Sequence, residues 1–146
     1  MFAGNGCRNQ GGIIIPDNID GKLDANSLSA LALAFVGDSV FDLFIRTMLV
    51  GSGKKVRDLH KEAVSYVKAS AQAAILKALE PKLTSEERDI VRNARNAKVN
   101  TIPKHADIME YHYSTAFEAL LGYLYLTGQN RRLNEILLMA YNKDLQ

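Results

Sequence analysis

After Asn26, apolar residues recur every three to four positions along nearly the whole chain, and no stretch alternates apolar with polar as a half-buried strand would. The pattern predicts an all-α protein of about seven helices. Asn26 or Ser27 can cap a first helix through Leu28, Leu31 and Leu33. Gly37 marks a break or a close contact, and a second helix is expected from about Asp38 to Val50, stopped by Gly51-Ser52-Gly53. A third starts near Lys54, with Val56, Leu59, Ala63, Tyr66 and Val67 at helical spacing. The alanine-rich stretch Ala69–Leu79 suits a tightly packed helix ended by Pro81. Thr84-Ser85-Glu86-Glu87 resembles a capping box leading into Ile90, Val91 and Ala94. Asn96–His105 reads as a loop, Ile108 to Leu126 as a long helix, and Gly128-Gln129-Asn130 as a turn. The last helix is expected over Arg131 to Asn142, with Leu133, Ile136, Leu137 and Ala140 inward. There is no internal repeat and no heptad pattern.

Residues 1–25 are glycine-rich and aperiodic, and read as a flexible leader, native or in part appended, outside the fold. The remainder, 26–146, is short enough for one domain, and an apolar fraction of 47% is enough for a single core. The formal charge is only +2, but it is unevenly spread. Twelve Lys and Arg face six Asp and Glu between Lys54 and Lys104, whereas the rest of the chain carries six bases and ten acids. A basic middle with acidic flanks suits a polyanion held beside an acidic centre, although a solvated helical surface would give the same count. Cys7 is the single cysteine, so no internal disulfide can form, and a reducing cytoplasm fits. No apolar run approaches the ~18 residues that a membrane span needs.

Two acidic residues stand inside apolar runs: Asp38 in Ala34-Phe35-Val36-Gly37-Asp38-Ser39-Val40-Phe41, and Glu118 in Tyr113-Ser114-Thr115-Ala116-Phe117-Glu118-Ala119-Leu120-Leu121-Gly122. A carboxylate in such a setting is costly unless it is paired, hydrogen-bonded or metal-bound. Two of them, far apart in sequence, suggest one shared acidic site holding a divalent cation for hydrolytic chemistry. The blander alternatives are that Asp38 caps a helix after Gly37 and that Glu118 pairs with a buried base.

Both runs resemble the two carboxylate segments of the ribonuclease III family, in the right order and with matching flanks. Leu31-Ala32-Leu33-Ala34-Phe35-Val36-Gly37-Asp38 and Tyr111-His112-Tyr113-Ser114-Thr115-Ala116-Phe117-Glu118 resemble more narrowly the small bacterial branch called Mini-ribonuclease III, as do Leu59-His60-Lys61 and Arg95-Asn96-Ala97-Lys98. The similarity covers about residues 27–140. It implies an all-α catalytic domain that forms a homodimer, binds double-stranded RNA across the dimer and cuts each strand with a divalent metal, leaving 5′-phosphate ends. It also implies the absence of a separate double-stranded-RNA-binding domain and a role in maturing the large-subunit (23S) ribosomal RNA precursor, with a ribosomal protein as a candidate partner. The wider family uses four acidic positions, of which this chain keeps Asp38 and Glu118. Leu31 and Thr115 stand where the other two are expected, and Mini-ribonuclease III shares these replacements. Fewer protein ligands mean more coordinating water, which suits Mg2+, with Mn2+ as a substitute.

The expected catalytic and metal-binding pair is therefore Asp38 and Glu118. Asp42 lies four residues before Arg46, so a helical ion pair competes with an outer role at the metal. Thr115, one turn before Glu118, can hydrogen-bond a metal water or its own helix. Arg92, Arg95, Asn96, Lys98 and Lys104 are the candidate RNA contacts, since A-form RNA is read largely through phosphates and 2′-hydroxyls. The spacing of His60, His105 and His112 matches no zinc motif. Tyr111, Tyr113, Tyr123 and Tyr125 fit a core or a dimer interface better than a base-stacking platform. Two other classes remain open: a non-catalytic double-stranded-RNA binder on the same fold, and a helical protein-interaction module.

Overall fold

The computed structural model describes residues 24–99 and 101–142. The described residues form six α-helices and two short 3-10 turns, with no strand. Helix α1 spans Ala30–Val50, α2 Val56–Val67, α3 Ala69–Leu79, α4 Ser85–Arg95, α5 Ile108–Leu126 and α6 Asn130–Asn142. The 3-10 turns are Ala25–Ser27 and Glu80–Lys82. Most of the expected leader lies outside the described residues, but Ala25, its last residue, is buried in the core behind a turn capped by Asp24.

Local chemistry sets the helix ends. Ser29 caps α1 by accepting from the Ala32 N–H at 3.1 Å, and Asp107 caps α5 by accepting from the Glu110 N–H at 3.0 Å. Thr84 and Glu87 form a reciprocal capping box at the start of α4. Glu87 has a second role. It is 4% exposed, and its carboxylate accepts from Arg132 on α6 at 2.8 and 2.9 Å. Burial pushes the Glu87 carboxyl up, but the hydrogen bonds from Arg132 and Thr84 outweigh it and hold it below the usual carboxylate range.

Helix α5 is the axis of the molecule. From Ser114 to Leu124 every residue except Glu118 is buried, as expected of a helix that is apolar on all sides. Helices α1, α3 and α4 pack around it. Phe41 of α1 meets Phe117 of α5 edge to face, with ring centroids 5.0 Å apart. Gly128, with φ 71°, supplies the left-handed turn between α5 and α6. Tyr141 of α6 stacks on Tyr66 of α2 at 5.4 Å.

The break expected at Gly37 is absent: α1 runs through it without interruption. The glycine is there for closeness. A Cβ on Gly37 would lie 1.7 Å from the carbonyl oxygen of Glu118, and one on Gly122 would lie 2.0 Å from the carbonyl oxygen of Leu33. The two glycines let the backbones of α1 and α5 touch, which removes one helix from the expected count of about seven. Gly37→Ala should therefore force the helices apart. A thermal midpoint lowered by ~10 °C is expected from overpacking of this severity, read by circular dichroism.

Candidate active site

The α1–α5 contact decides where the two acids go. Asp38 follows Gly37 on α1, and Glu118 is the residue whose backbone Gly37 touches. Asp38 sits in mid-helix with an exposed side chain, so it is no helix cap. Glu118 is half-buried, the one incompletely buried position in the central stretch of α5. Neither acid is in a salt bridge among the described residues, which removes the alternative that Glu118 pairs with a buried base.

Electrostatics shows that the two carboxyls share a neighbourhood. The Glu118 pKa is pushed up to about 8, first by burial and then by the negative charge of Asp38. Two polar side chains oppose that rise: Gln72 of α3 and Ser114, one turn earlier on α5. Gln72 is fully buried, and its Oε1 accepts from the Ser114 hydroxyl at 2.5 Å. Its Nε2 is buried without a hydrogen-bond partner. Thr115 is also buried, one turn before Glu118. Leu31, where the wider family would carry an acid, is 41% exposed.

The remaining expected residues are placed as follows. Asp42 accepts from Arg46 Nε at 2.9 Å, the i,i+4 pair expected of it. Arg92 pairs with Asp89 at 2.8 Å. Arg95 donates to Tyr113 Oη at 3.1 Å, lies over the Tyr113 ring at 5.2 Å and approaches Glu80 at 3.5 Å. Lys77 also lies over that ring, at 4.9 Å. Tyr113 is thus held between cations, a structural role, and Tyr123 is buried, with its hydroxyl donating to Glu86. Asn96 ends α4, with an exposed side chain. Lys98 and Lys104 are exposed and in no ion pair among the described residues. Next to Lys104, His105 takes the left-handed conformation at φ 72°. The candidate RNA residues therefore divide into two arginines paired within the chain, of which Arg92 is exposed, and three exposed residues in no ion pair among the described residues.

Among the described residues, no group of three or more His, Cys, Asp or Glu side chains gathers to cage a metal. Two carboxylates are what the chain brings together. No described helix is long and apolar enough to cross a membrane.

Comparison with known proteins assigns the family. The Ribonuclease III domain matches residues 31–129, a span holding both Asp38 and Glu118. The chain belongs to the ribonuclease III family. Within it, the chain is 54% identical over 112 residues to the Mini-ribonuclease 3 of Thermoanaerobacter sp. (strain X514), covering 76% of this chain and 79% of that one. It is 52% identical over 115 residues to the Mini-ribonuclease 3 of Symbiobacterium thermophilum, covering 78% and 88%. A crystal structure of a Fusobacterium nucleatum protein superposes with a TM-score of 0.75 at 31% identity, covering 83% of this chain and 98% of that one. The chain is a member of the Mini-ribonuclease III branch, an endoribonuclease of the ribonuclease III type.

Gln72 and Ser114 are the site residues that the sequence reading did not single out. The signal was present for Gln72. It is the polar member of an otherwise apolar stripe formed by Ala69, Ala73, Leu76 and Leu79 on α3.

A raised Glu118 pKa has a definite consequence for stability. Between the unfolded value of 4.5 and the folded value of about 8, the folded state binds the proton more tightly than the unfolded state. Stability of the metal-free protein should therefore fall as pH rises through that window. Glu118→Gln has no such proton to lose, so its thermal midpoint should vary less between pH 5 and 8 (about one unit either way) when both proteins are scanned in chelator.

Proposed function

We propose that this chain is a divalent-cation-dependent endoribonuclease that cuts double-stranded RNA, with Asp38 and Glu118 as the catalytic, metal-binding pair. The observation that carries this reading is the half-buried Glu118 carboxyl set against the charge of Asp38, with no basic side chain paired with either among the described residues. Asp38 and Glu118 would hold a dication as two carboxylates, and because the free Glu118 carboxyl keeps its proton up to about pH 8, binding would be coupled to its deprotonation. The donor set suits the ion. Two carboxylates without histidine or thiol favour a hard cation that keeps several waters, which describes Mg2+ and admits Mn2+.

Such an ion, once bound, supplies polarisation of the phosphoryl group and a water acidic enough to attack it. The chain contributes the rest. Glu118, held in the α5 core, is rigid and partly desolvated, so its ionised form interacts strongly with a cation. Asp38 stands at the solvent edge, where a phosphodiester can approach. Hydrolysis with departure of the 3′-oxygen leaves a 5′-phosphate end. Lys98, Lys104 and Asn96 lie open on the 96–107 loop and suit backbone phosphates and 2′-hydroxyls, whereas Arg92 and Arg95 must exchange internal partners to reach RNA.

Cutting both strands of a duplex calls for two sites related by a twofold axis, which supports a homodimer. Phe35, 81% exposed on α1 and three residues before Asp38, with Leu31 one turn behind it, suits a contact with a second copy beside the site. The natural substrate in this reading is the precursor of large-subunit 23S ribosomal RNA in the cytoplasm, with a ribosomal protein as a partner on that precursor.

Asp38→Asn and Glu118→Gln should each lower Mg2+-dependent cleavage of a ribosomal-RNA-like duplex by at least about 1,000-fold while leaving the helical circular dichroism intact. Substantial activity in either variant at moderate Mg2+ would refute the pair. Lys98→Ala with Lys104→Ala should weaken duplex binding and reduce the slope of log affinity against log salt by about one to two units. An unchanged slope would remove the loop from the interface.

A further inference from the structure

Gln72 is an unexpected residue at its position. It lies on the inward stripe of α3 with Ala73, Leu76 and Leu79 and is fully buried, where an apolar side chain would be expected. Buried amides in folded proteins nearly always close their hydrogen bonds. Gln72 closes one end only: its Oε1 takes the Ser114 hydroxyl at 2.5 Å, and its Nε2 makes no hydrogen bond. That anchor fixes the amide plane. Ser114 stands one turn before Glu118 on the same helix, and the Gln72 amide favours the ionised form of the Glu118 carboxyl. A buried donor, held from its other end and without a partner among the described residues, stands ready to serve the Glu118 carboxyl that the same amide influences.

We propose that Gln72 is a positioning residue for Glu118: anchored on Ser114, its amide holds the Glu118 carboxylate in the orientation that binds the cation with Asp38. This rests on the reading of Glu118 as a metal-binding carboxylate. The unmade hydrogen bond belongs to the metal-free protein, and the free Nε2 donor would be available to a Glu118 carboxylate held by a cation. The arrangement resembles the common one in which a ligating carboxylate is oriented by a hydrogen bond from a residue that never touches the metal. It also gives a chain with two acids a means of fixing one of them without adding charge.

The test compares the full-length wild type with Gln72→Met, Ser114→Ala and Glu118→Gln. Mn2+ binding is titrated by electron paramagnetic resonance without RNA, Mg2+-dependent cleavage is measured kinetically, and thermal midpoints are taken in chelator. Gln72→Met should weaken Mn2+ binding about 10–100-fold and raise the Mg2+ needed for half-maximal cleavage by a similar factor, with KM for RNA unchanged. Its metal-free midpoint should stay near that of the wild type, because removal of the unpartnered amide offsets the acceptor lost to the Ser114 hydroxyl. Ser114→Ala, a mild change within a helix, should move Mn2+ affinity in the same direction by a smaller factor, and it decides the matter if Gln72→Met does not fold. Wild-type Mn2+ affinity and cleavage in Gln72→Met and Ser114→Ala, while Glu118→Gln loses both, would overturn the inference and leave the reading of the site standing. A loss of activity that only follows a lowered midpoint would also overturn it. Retained Mn2+ binding and cleavage in Glu118→Gln would instead bring down the reading of the site itself.

Discussion

Everything at the candidate active site depends on two helices touching backbone to backbone. Gly37 on α1 faces the carbonyl of Glu118, and Gly122 on α5 faces the carbonyl of Leu33, one turn apart in a reciprocal contact. Side chains usually keep packed helices 8–10 Å apart. Their absence here brings Asp38 close to Glu118, and the Phe41–Phe117 contact packs the crossing on the core side. The proposed catalytic pair is thus a product of packing: the acids come close because hydrogen atoms replace two methyl groups.

That crossing also explains the charge state of the site. Helix α5 is buried on every side over its central turns, so a carboxyl on it starts with a desolvation penalty. The neighbouring Asp38 adds to that penalty, and among the described residues the neutral polar groups of Gln72 and Ser114 oppose it. The metal-free site answers this by keeping the Glu118 carboxyl protonated up to about pH 8. Two carboxyls are a more economical design than a cage of many acids, and under the proposed reading they suit a cation that retains much of its water.

Much of this was legible in the sequence. The 3.6-residue period placed α3 and α5 at their observed bounds, because long apolar stripes and clear stops at Pro81 and Gly128 leave little choice. The two acids were conspicuous because each interrupts an apolar run, and the Asp42–Arg46 pair followed from spacing alone. Gly37 was harder. A glycine in a helical pattern signals either a break or a close approach, and only the partner helix tells which. The internal partners of Arg95 were invisible for the same reason, since Tyr113 and Glu80 reach it only through the packing of α3, α4 and α5. Gln72 lies inside an alanine-rich stripe whose apolar character points to packing, and only the partner helix shows the polar side chain's role.

At the start of α4, Glu87 closes the capping box and receives the guanidinium of Arg132 from α6, which also donates to the Lys82 carbonyl at 2.9 Å. One carboxylate thereby fastens the first turn of one helix and the docking of another. Peeling the terminal helix away would strip that turn of a bond and leave a buried anion behind, so fraying at α6 cannot proceed alone. The two ends of this strap loosen together or stay closed together, which makes the carboxyl-terminal part of the chain a cooperative member of the domain rather than an appendage.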